Sequence, residues 1–342
     1  MSEPGPPKAA LCGNQAWQLD RVFSLGRRER LATVTSLFPR YVSAGSFGTQ
    51  APSLQDVEVL FSTWGMDEDL ARHVAALPAL KAFFYAAGSV RHFARPLLDK
   101  GVVVVGAWAA NAVPVAQFTL SQILLSLKGY FRNVRETRHG YRRLDQERDG
   151  LAVAAYAPGI LAAEVALLGF GMVGRAVAEL LRPFGITVLV HDPFLPDSEA
   201  AALGVRKVSL AGAFACAVVS NHLPDLPATR GLLDRSLFQS LPAGATFINT
   251  GRGATVSEPD LIEVLTARPD LTALLDVTFP EPPPADSPFF TLENAHLTSH
   301  IAGSNGNEVV RLADYCLEEF TAWRQGRPLK YRITAEMLEK LA

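Results

Sequence analysis

The feature that most constrains this chain is a glycine motif, Gly-Phe-Gly-Met-Val-Gly, at residues 169–174. A motif of this spacing is common by itself and gains weight from its surroundings. An apolar run, Val165–Gly169, leads into it and a helical pattern, Met172–Phe184, follows it, which is the context of a dinucleotide-binding turn. The motif therefore predicts an α/β sheet that binds a dinucleotide.

Each glycine has a separate task in such a turn. Gly169 allows the tight bend, Gly171 lets the backbone approach a pyrophosphate, and Gly174 lets helix and strand pack closely. The backbone amides of Met172 and Val173, at the N-terminus of the predicted helix, would face the phosphates. We therefore expect these five residues to bind the cofactor.

An acidic residue closes the next predicted strand, Thr187–Asp192. Asp192 follows Gly174 at the spacing of about 20 residues expected for the carboxylate that binds the ribose hydroxyls. A carboxylate at this place repels a 2′-phosphate, so the sequence predicts NAD as the cofactor in preference to NADP.

Short apolar runs alternate with helical patterns along most of the chain, as in parallel α/β proteins. The other predicted strands are Val57–Ser62, Leu80–Ala86, Val102–Gly106, Ala217–Leu223, Ala245–Thr250, Leu271–Val277 and Ala295–Ser299. We predict an α/β fold with two Rossmann-like or flavodoxin-like domains, parallel sheets and an active site in the interdomain cleft. The closing helical pattern, Ser304–Gln325, has no strand of its own and is expected to return to the first domain. The predicted domains are residues 1–110 plus 304–342, discontinuous, and residues 111–303.

Charge and composition exclude several classes of function. The net charge is −2, which gives no general attraction for nucleic acid. The longest apolar stretch, Val115–Leu127, is interrupted by polar residues and is shorter than the ~20 residues that span a bilayer, so we expect a buried helix and no membrane. The N-terminus lacks the apolar core of a signal peptide, and about its first ten residues are expected to be loose.

The cysteines are Cys12, Cys216 and Cys316, which are far apart and form no CxxC pattern. We therefore expect no disulfide framework and no metal site. Free thiols fit a reducing compartment, so the sequence predicts a cytoplasmic protein.

Three later strand ends carry polar groups, at the edge where open α/β sheets bind ligands. Arg252 stands between two glycines, and we expect an exposed guanidinium that holds a carboxylate and a keto oxygen. Glu281 and His300 follow the next two strands, and a nearby carboxylate favours a charged imidazole. Such a histidine donates a proton to a carbonyl oxygen as hydride reaches the carbon. Singly, each residue is more often structural; together they predict reduction of a 2-oxo acid.

The sequence resembles the D-isomer-specific 2-hydroxyacid dehydrogenase family, and within it the glyoxylate/hydroxypyruvate reductases. The matching motifs are residues 165–174 with Asp192, Val219–Pro224 with Thr229, Asn249–Gly253, Leu275–Pro282 and Ser299–Gly303. The resemblance implies an NAD-dependent enzyme that moves a hydride between nicotinamide C4 and C2 of a small 2-oxo or D-2-hydroxy acid. It also implies a homodimer, with Val115–Leu127 near the interface.

The resemblance assigns roles to particular residues. It implies that Arg252 binds and polarises the substrate, that Glu281 orients the histidine, and that His300 is the acid/base. It places Asp276 near the nicotinamide carboxamide. The further residues that it places along the cofactor are Leu223, Pro224, Thr229, Thr250, Gly251 and Gly303.

In the first domain, the family binds the substrate carboxylate with backbone amides of a glycine turn. The resemblance implies that Gly88 and Ser89 have this role, which makes the first domain the substrate-binding (catalytic) domain and the second the NAD-binding domain. The turn departs from the family's Gly-x-Gly-x-Asp pattern, with Ser89-Val90-Arg91 in place of the typical apolar–Asp end. Phosphoglycerate is not expected as the substrate, because relatives that use it have an Arg in the preceding strand where this chain has Tyr85.

Two other functions remain open. A formate-type dehydrogenase shares this fold by resemblance, although that group usually lacks a Glu partner for the histidine. An NAD-sensing transcriptional corepressor also resembles the family and keeps the same residues, although it usually carries extra tails. Turnover of a 2-oxo acid separates the enzyme from the binding protein.

Overall fold

The computed structural model describes residues 5–138, 140 and 157–338. Parts of both predicted domains, residues 1–4, 139, 141–156 and 339–342, lie outside this description. The strands are β1 (Lys8–Cys12), β2 (Ser36–Leu37), β3 (Val59–Ser62), β4 (Ala82–Tyr85), β5 (Val103–Gly106), β6 (Glu164–Leu168), β7 (Thr187–His191), β8 (Arg206–Lys207), β9 (Val218–Asn221), β10 (Thr246–Asn249), β11 (Thr272–Leu275), β12 (Ala295–Leu297) and β13 (Arg332–Ile333).

Helices connect most of these strands. The α-helices are α1 (Ala16–Val22), α2 (Arg27–Val34), α3 (Ala44–Gln50), α4 (Glu68–Ala75), α5 (Arg95–Asp99), α6 (Trp108–Leu127), α7 (Tyr130–Thr137), α8 (Met172–Leu181), α9 (Asp197–Ala202), α10 (Leu210–Ala213), α11 (Arg235–Ser240), α12 (Glu258–Ala267), α13 (Val310–Arg324) and α14 (Ala335–Leu338). The chain divides into two compact units, one that runs to Asn111 and resumes at Ser304, and one that spans Ala112–Gly303.

The first unit is built on a six-stranded sheet in the order β2-β1-β3-β4-β5-β13. All neighbouring strands are parallel except β13, which pairs antiparallel with β5. The part β2-β1-β3-β4-β5 has the order of a flavodoxin-like sheet. Helix α13 packs on this sheet, where Phe320 makes edge contacts with Phe61 and Phe84. Those buried aromatic contacts attach the C-terminal helix to the first unit.

The second unit is built on a seven-stranded parallel sheet in the order β12-β11-β10-β9-β6-β7-β8. Strand β6 is buried on both faces: Val165 and Leu167 join one apolar cluster, and Ala166 and Leu168 join the other. A continuous apolar run of this kind is typical of a strand covered by helices on both sides. The strand order reverses between β6 and β9, and ligands bind at the carboxyl ends beside such a point.

The predicted fold class is confirmed, and each predicted strand is present with ends shifted by two residues or fewer. The expectation of a loose N-terminus is wrong from Lys8 onward, because Lys8–Cys12 forms β1, paired between β2 and β3. Its sequence, Lys-Ala-Ala-Leu-Cys, has little intrinsic strand preference, so the pairing partners decide its conformation. The two-residue strands β2, β8 and β13 were not predicted either.

Helix α6 is long and apolar. Among the described residues, it is the one helix whose length and hydropathy satisfy the criteria for a membrane span. Ala116, Ile123 and Leu127 of this helix are buried in the core of the second unit. Core helices of soluble proteins meet the same criteria, so this match carries little weight.

Candidate active site

The glycine motif forms a turn between β6 and α8, at the point where the strand order reverses. Gly169 has φ +86°, a left-handed conformation that glycine adopts without strain. A Cβ on Gly174 would lie 2.4 Å from the carbonyl oxygen of Gly169, so a side chain there would push the helix away. A Cβ on Gly171 would meet none of the described atoms within 4 Å. The turn therefore combines close packing with an open side, as a pyrophosphate requires.

The N-terminus of α8 opens on this turn. Its N-cap is Gly171, and no side chain among the described residues caps the helix there. Met172 is exposed and Val173 is half-buried. The first backbone amides of a helix lack partners within the helix, so these amides can donate hydrogen bonds to a bound anion.

The carboxylate of Asp192 lies beside the same turn. Its Oδ2 accepts a hydrogen bond from the backbone amide of Phe170 at 2.7 Å, and its Oδ1 accepts one from the amide of Phe194 at 2.8 Å. Each carboxylate oxygen has a further lone pair that a ribose hydroxyl can use. The turn, the helix N-terminus and Asp192 together fit NAD.

A chain of hydrogen-bonding side chains follows β9 and β10. The Oγ of Ser220 lies 3.0 Å from Nε2 of His222, and Oγ1 of Thr250 lies 3.5 Å from Nδ1 of the same ring. Thr250 Oγ1 also lies 2.9 Å from Oγ1 of Thr119 on α6. Burial lowers the pKa of His222 to about 4, so the ring is neutral at pH 7. Thr250 is thus held by two side chains, Thr119 and His222, whose contacts with it the sequence did not predict.

The loops after β9 and β10 touch one another. The amide of Leu223 donates to Oδ1 of Asn221 at 3.1 Å, and the hydroxyl of Thr229 donates to the carbonyl of Pro224 at 2.5 Å. A Cβ on Gly251 would lie 2.9 Å from the carbonyl oxygen of Asn221. The structure thus brings these predicted cofactor residues to one edge of the sheet, and their contact with the cofactor stays a prediction.

Arg252 is half-buried, where the sequence predicted an exposed side chain. One guanidinium nitrogen, Nη1, donates to the carbonyl oxygen of Gly251 at 2.8 Å, which draws the side chain back toward its own loop. Burial lowers the pKa of Arg252, while the carboxylates of Asp225 and Glu281 raise it. An arginine remains charged under these conditions, so a cation is available to a substrate carboxylate.

The predicted acid/base pair is in contact. The imidazole Nδ1 of His300 lies 2.7 Å from Oε1 of Glu281, and both side chains are accessible to solvent. Because Nδ1 is engaged, Nε2 is the ring nitrogen left for a substrate. A Cβ on Gly253 would lie 2.1 Å from the carbonyl carbon of Thr278, so the loop of Arg252 rests directly on the loop that carries Glu281.

The side chain of Asp276 is buried and holds the segment around His300. Its carboxylate accepts hydrogen bonds from Thr298 Oγ1 at 2.6 Å, from the amide of Ile301 at 2.8 Å and from the amide of Ala302 at 3.0 Å. The Asp276 carbonyl accepts a hydrogen bond from the amide of His300 at 3.0 Å. His300 has φ +57°, which is unusual outside glycine. Asp276 therefore fixes a strained backbone, and its predicted nicotinamide contact stays a prediction.

Three predicted residues remain. Gly303 is the half-buried last residue of the second unit. Gly88 and Ser89 belong to the first unit, in the turn that follows β4. A Cβ on Gly88 would meet none of the described atoms within 4 Å, and Ser89 Oγ accepts a hydrogen bond from the amide of Arg91 at 3.4 Å. Their predicted role in carboxylate binding depends on backbone amides and stays a prediction.

Comparison with known proteins gives a family match. Residues 127–302 match the model described as "D-isomer specific 2-hydroxyacid dehydrogenase, NAD binding domain". D-3-phosphoglycerate dehydrogenase 2, chloroplastic, of Arabidopsis thaliana is 34% identical over 207 residues, which are 60% of this chain and 32% of that protein. D-3-phosphoglycerate dehydrogenase of Archaeoglobus fulgidus is 26% identical over 243 residues, 70% of this chain and 44% of that protein. The chain thus spans less than half the length of these curated relatives.

Solved structures show the same fold. A phosphoglycerate oxidoreductase from Rhizobium etli superposes with a TM-score of 0.76 at 23% identity, over 97% of this chain and 99% of that one. D-mandelate dehydrogenase from Rhodotorula graminis superposes with a TM-score of 0.75 at 22% identity, over 96% of this chain and 97% of that one.

Proposed function

Because the chain belongs to the D-isomer-specific 2-hydroxyacid dehydrogenase family, with an NAD-binding domain at residues 127–302, we propose that it is an NAD-dependent enzyme acting on a small 2-oxo or D-2-hydroxy acid. It moves a hydride between nicotinamide C4 and substrate C2. The observation that carries this proposal is the 2.7 Å contact between His300 Nδ1 and Glu281 Oε1. Carbonyl reduction needs an oriented proton donor, whereas simple binding of NAD does not.

NADH, when bound, supplies the hydride that reaches C2 of the substrate. Arg252 binds the substrate carboxylate and stabilises the negative charge that develops on the C2 oxygen. Glu281 accepts a hydrogen bond from Nδ1–H of His300 and stabilises the imidazolium, which directs Nε2–H at the carbonyl oxygen. The oxygen takes this proton as the C=O double bond becomes a single bond, which gives the 2-hydroxy acid. In oxidation, the neutral Nε2 takes the hydroxyl proton.

We propose that the cofactor binds to groups near the point where the strand order reverses, between β6 and β9. The turn at residues 169–174 would hold the pyrophosphate, and Asp192 would accept hydrogen bonds from the adenosine ribose. We propose that Gly88 and Ser89 add backbone amides for the substrate carboxylate.

A substrate panel tests the proposed function. NADH absorbance is followed with glyoxylate, hydroxypyruvate, pyruvate and bulkier 2-oxo acids, with His300→Ala as the matched inactive variant. We expect NADH oxidation that depends on a 2-oxo acid and is lost in the variant. NADH binding without turnover of any 2-oxo acid would indicate an NAD-sensing binding protein, and formate-dependent reduction of NAD⁺ would indicate a formate-type enzyme.

We further propose that the chain is a cytoplasmic homodimer. Its three cysteines are buried and free, which suits a reducing compartment. The dimer is expected from the family resemblance, with residues 115–127 near the interface. Light scattering at micromolar concentration tests the dimer, and a monomer there would contradict it; fractionation of cells tests the location.

A further inference from the structure

A second charged group of residues lies in the second unit and has no task in the proposed hydride transfer. The carboxylate of Asp225 accepts two hydrogen bonds from Arg230, Nε to Oδ1 at 2.7 Å and Nη2 to Oδ2 at 3.1 Å. The guanidinium carbon of Arg230 lies 5.9 Å from the centre of the Phe279 ring. A bidentate ion pair with an aromatic ring beside it holds both charged side chains in a defined position.

This pair stands in the loop after β9, which contacts the loop that carries the proposed substrate arginine. Asp225 follows β9 and Arg252 follows β10, and these are neighbouring parallel strands whose loops leave the same edge of the sheet. The two loops are in contact, since a Cβ on Gly251 would lie 2.9 Å from the carbonyl oxygen of Asn221. Burial lowers the pKa of Arg252, and of the two carboxylates that oppose this effect, Asp225 acts more strongly than Glu281. The carboxylate of Asp225 is therefore part of the electrostatic surroundings of Arg252.

We infer that Asp225 is a specificity-determining residue that restricts the site to 2-oxo acids with a single anionic group. The inference rests on the proposed function, in which the C1 carboxylate occupies Arg252. A second carboxylate or a phosphate on the Asp225 side would meet a like charge. Arg230 offsets this repulsion only in part, because two of its donors are already bonded to Asp225.

The burial of Asp225 makes this repulsion effective. Its side chain is 26% exposed, whereas that of Arg230 is 59% exposed. A charge that is largely withdrawn from solvent is screened less by water and salt than a surface charge. The repulsion of a nearby anion by the Asp225 carboxylate is therefore stronger than its attraction by the exposed guanidinium of Arg230.

Two pairs of substrates test the inference, each differing by one anionic group: pyruvate with oxaloacetate, and hydroxypyruvate with its phosphate ester. The measured quantity is kcat/KM for the dianionic compound divided by that for its monoanionic partner. Asp225→Asn keeps the shape and removes the charge, so we expect this ratio to rise at least about tenfold. Arg230→Met leaves the Asp225 charge without its counter-ion, so the ratio should fall.

The matched control is Glu164→Gln. Glu164 forms an ion pair with Arg206 at 2.7 Å, at the start of β6 and so at the opposite edge of the same sheet. This variant should leave both ratios unchanged. NADH affinity, measured by fluorescence, should be the same in all variants, which shows that the fold is intact.

The outcomes separate this inference from the proposed function. If the wild type reduces 2-oxo acids but Asp225→Asn leaves both ratios unchanged, or if the wild type already prefers the dianions, the inference is wrong and the proposed function stands. If the wild type binds NADH and reduces none of the four compounds, the proposed function fails and the inference fails with it.

Discussion

The imidazole of His300 and the carboxylate of Glu281 form one unit, with 2.7 Å between Nδ1 and Oε1. Glu281→Gln keeps the size of the partner and removes its charge, so the imidazolium is less stabilised. We expect kcat/KM for reduction to fall, with hydride transfer retained. The measurement is the pH profile of kcat/KM with NADH.

A matched control is Asp286→Asn, which neutralises another carboxylate of the same loop. This variant should keep the wild-type profile. A Glu281→Gln profile that coincides with the wild type would show that Glu281 does not act on His300.

Arg252 is predicted to act on the substrate and not on the cofactor. Arg252→Ala should lower kcat/KM by a factor on the order of 10²–10³, because a charge that stabilises the transition state is lost. Arg252→Lys keeps the charge but not the planar fork, so it should recover only part of the activity. NADH affinity should stay near wild type in both variants; a loss confined to cofactor affinity would contradict the assignment.

Asp192 is predicted to select NAD. Asp192→Ala removes the charge that repels a 2′-phosphate and the acceptor for two backbone amides beside the turn. We expect NADH affinity to fall about tenfold and the preference for NADH over NADPH to shrink. Fluorescence titration with both cofactors measures this, and a wild type that already prefers NADPH would overturn it.

His222 links stability to pH. Its pKa is lowered from 6.5 to about 4 by burial, so the unfolded state takes up a proton that the folded state does not. Stability should therefore be lost as the pH falls from about 6.5 toward about 4. His222→Gln should reduce that loss by up to about 2 kcal/mol, allowing for partial exposure of the residue. Denaturant unfolding at pH 7 and pH 4.5 measures the difference; equal losses in both proteins would contradict it.

Ala162 adopts φ +55° in the exposed turn that precedes β6. An L-residue pays for a left-handed backbone, and glycine does not. Ala162→Gly should therefore raise the free energy of unfolding by about 0.5–1 kcal/mol, after the entropy cost of glycine is subtracted, and leave turnover unchanged. A thermal shift with parallel kinetics measures both, and a destabilised variant would refute the account.

The sequence predicted the elements whose local pattern agrees with their environment. The strand–turn–helix at residues 165–184 is an example, because a buried strand, a glycine turn and a helix with an apolar face each leave a pattern in the sequence. Strand β1 left none, since its alanines have little strand preference and its conformation comes from pairing with β3. Local propensity says nothing about partners that are distant in the chain.

The candidate site follows the same division. His300 and Glu281 could be paired from sequence because their roles depend on residue type and on strand ends. The hydrogen bonds from the amides of Ile301 and Ala302 to Asp276 could not be predicted from the sequence, because they depend on how one loop folds over another. Asp225 was likewise missed, because its effect on Arg252 comes from the packing of two loops.

The left-handed backbone of His300, φ +57°, has a consequence for any attempt to make this protein more robust. A residue in that conformation lowers stability wherever it occurs, and it persists where the surrounding bonds hold it for another purpose. Directed evolution for heat tolerance alone is expected to replace the histidine with glycine or asparagine. The selected variants would be more stable but would no longer turn over substrate, so such a screen must select for turnover at the same time.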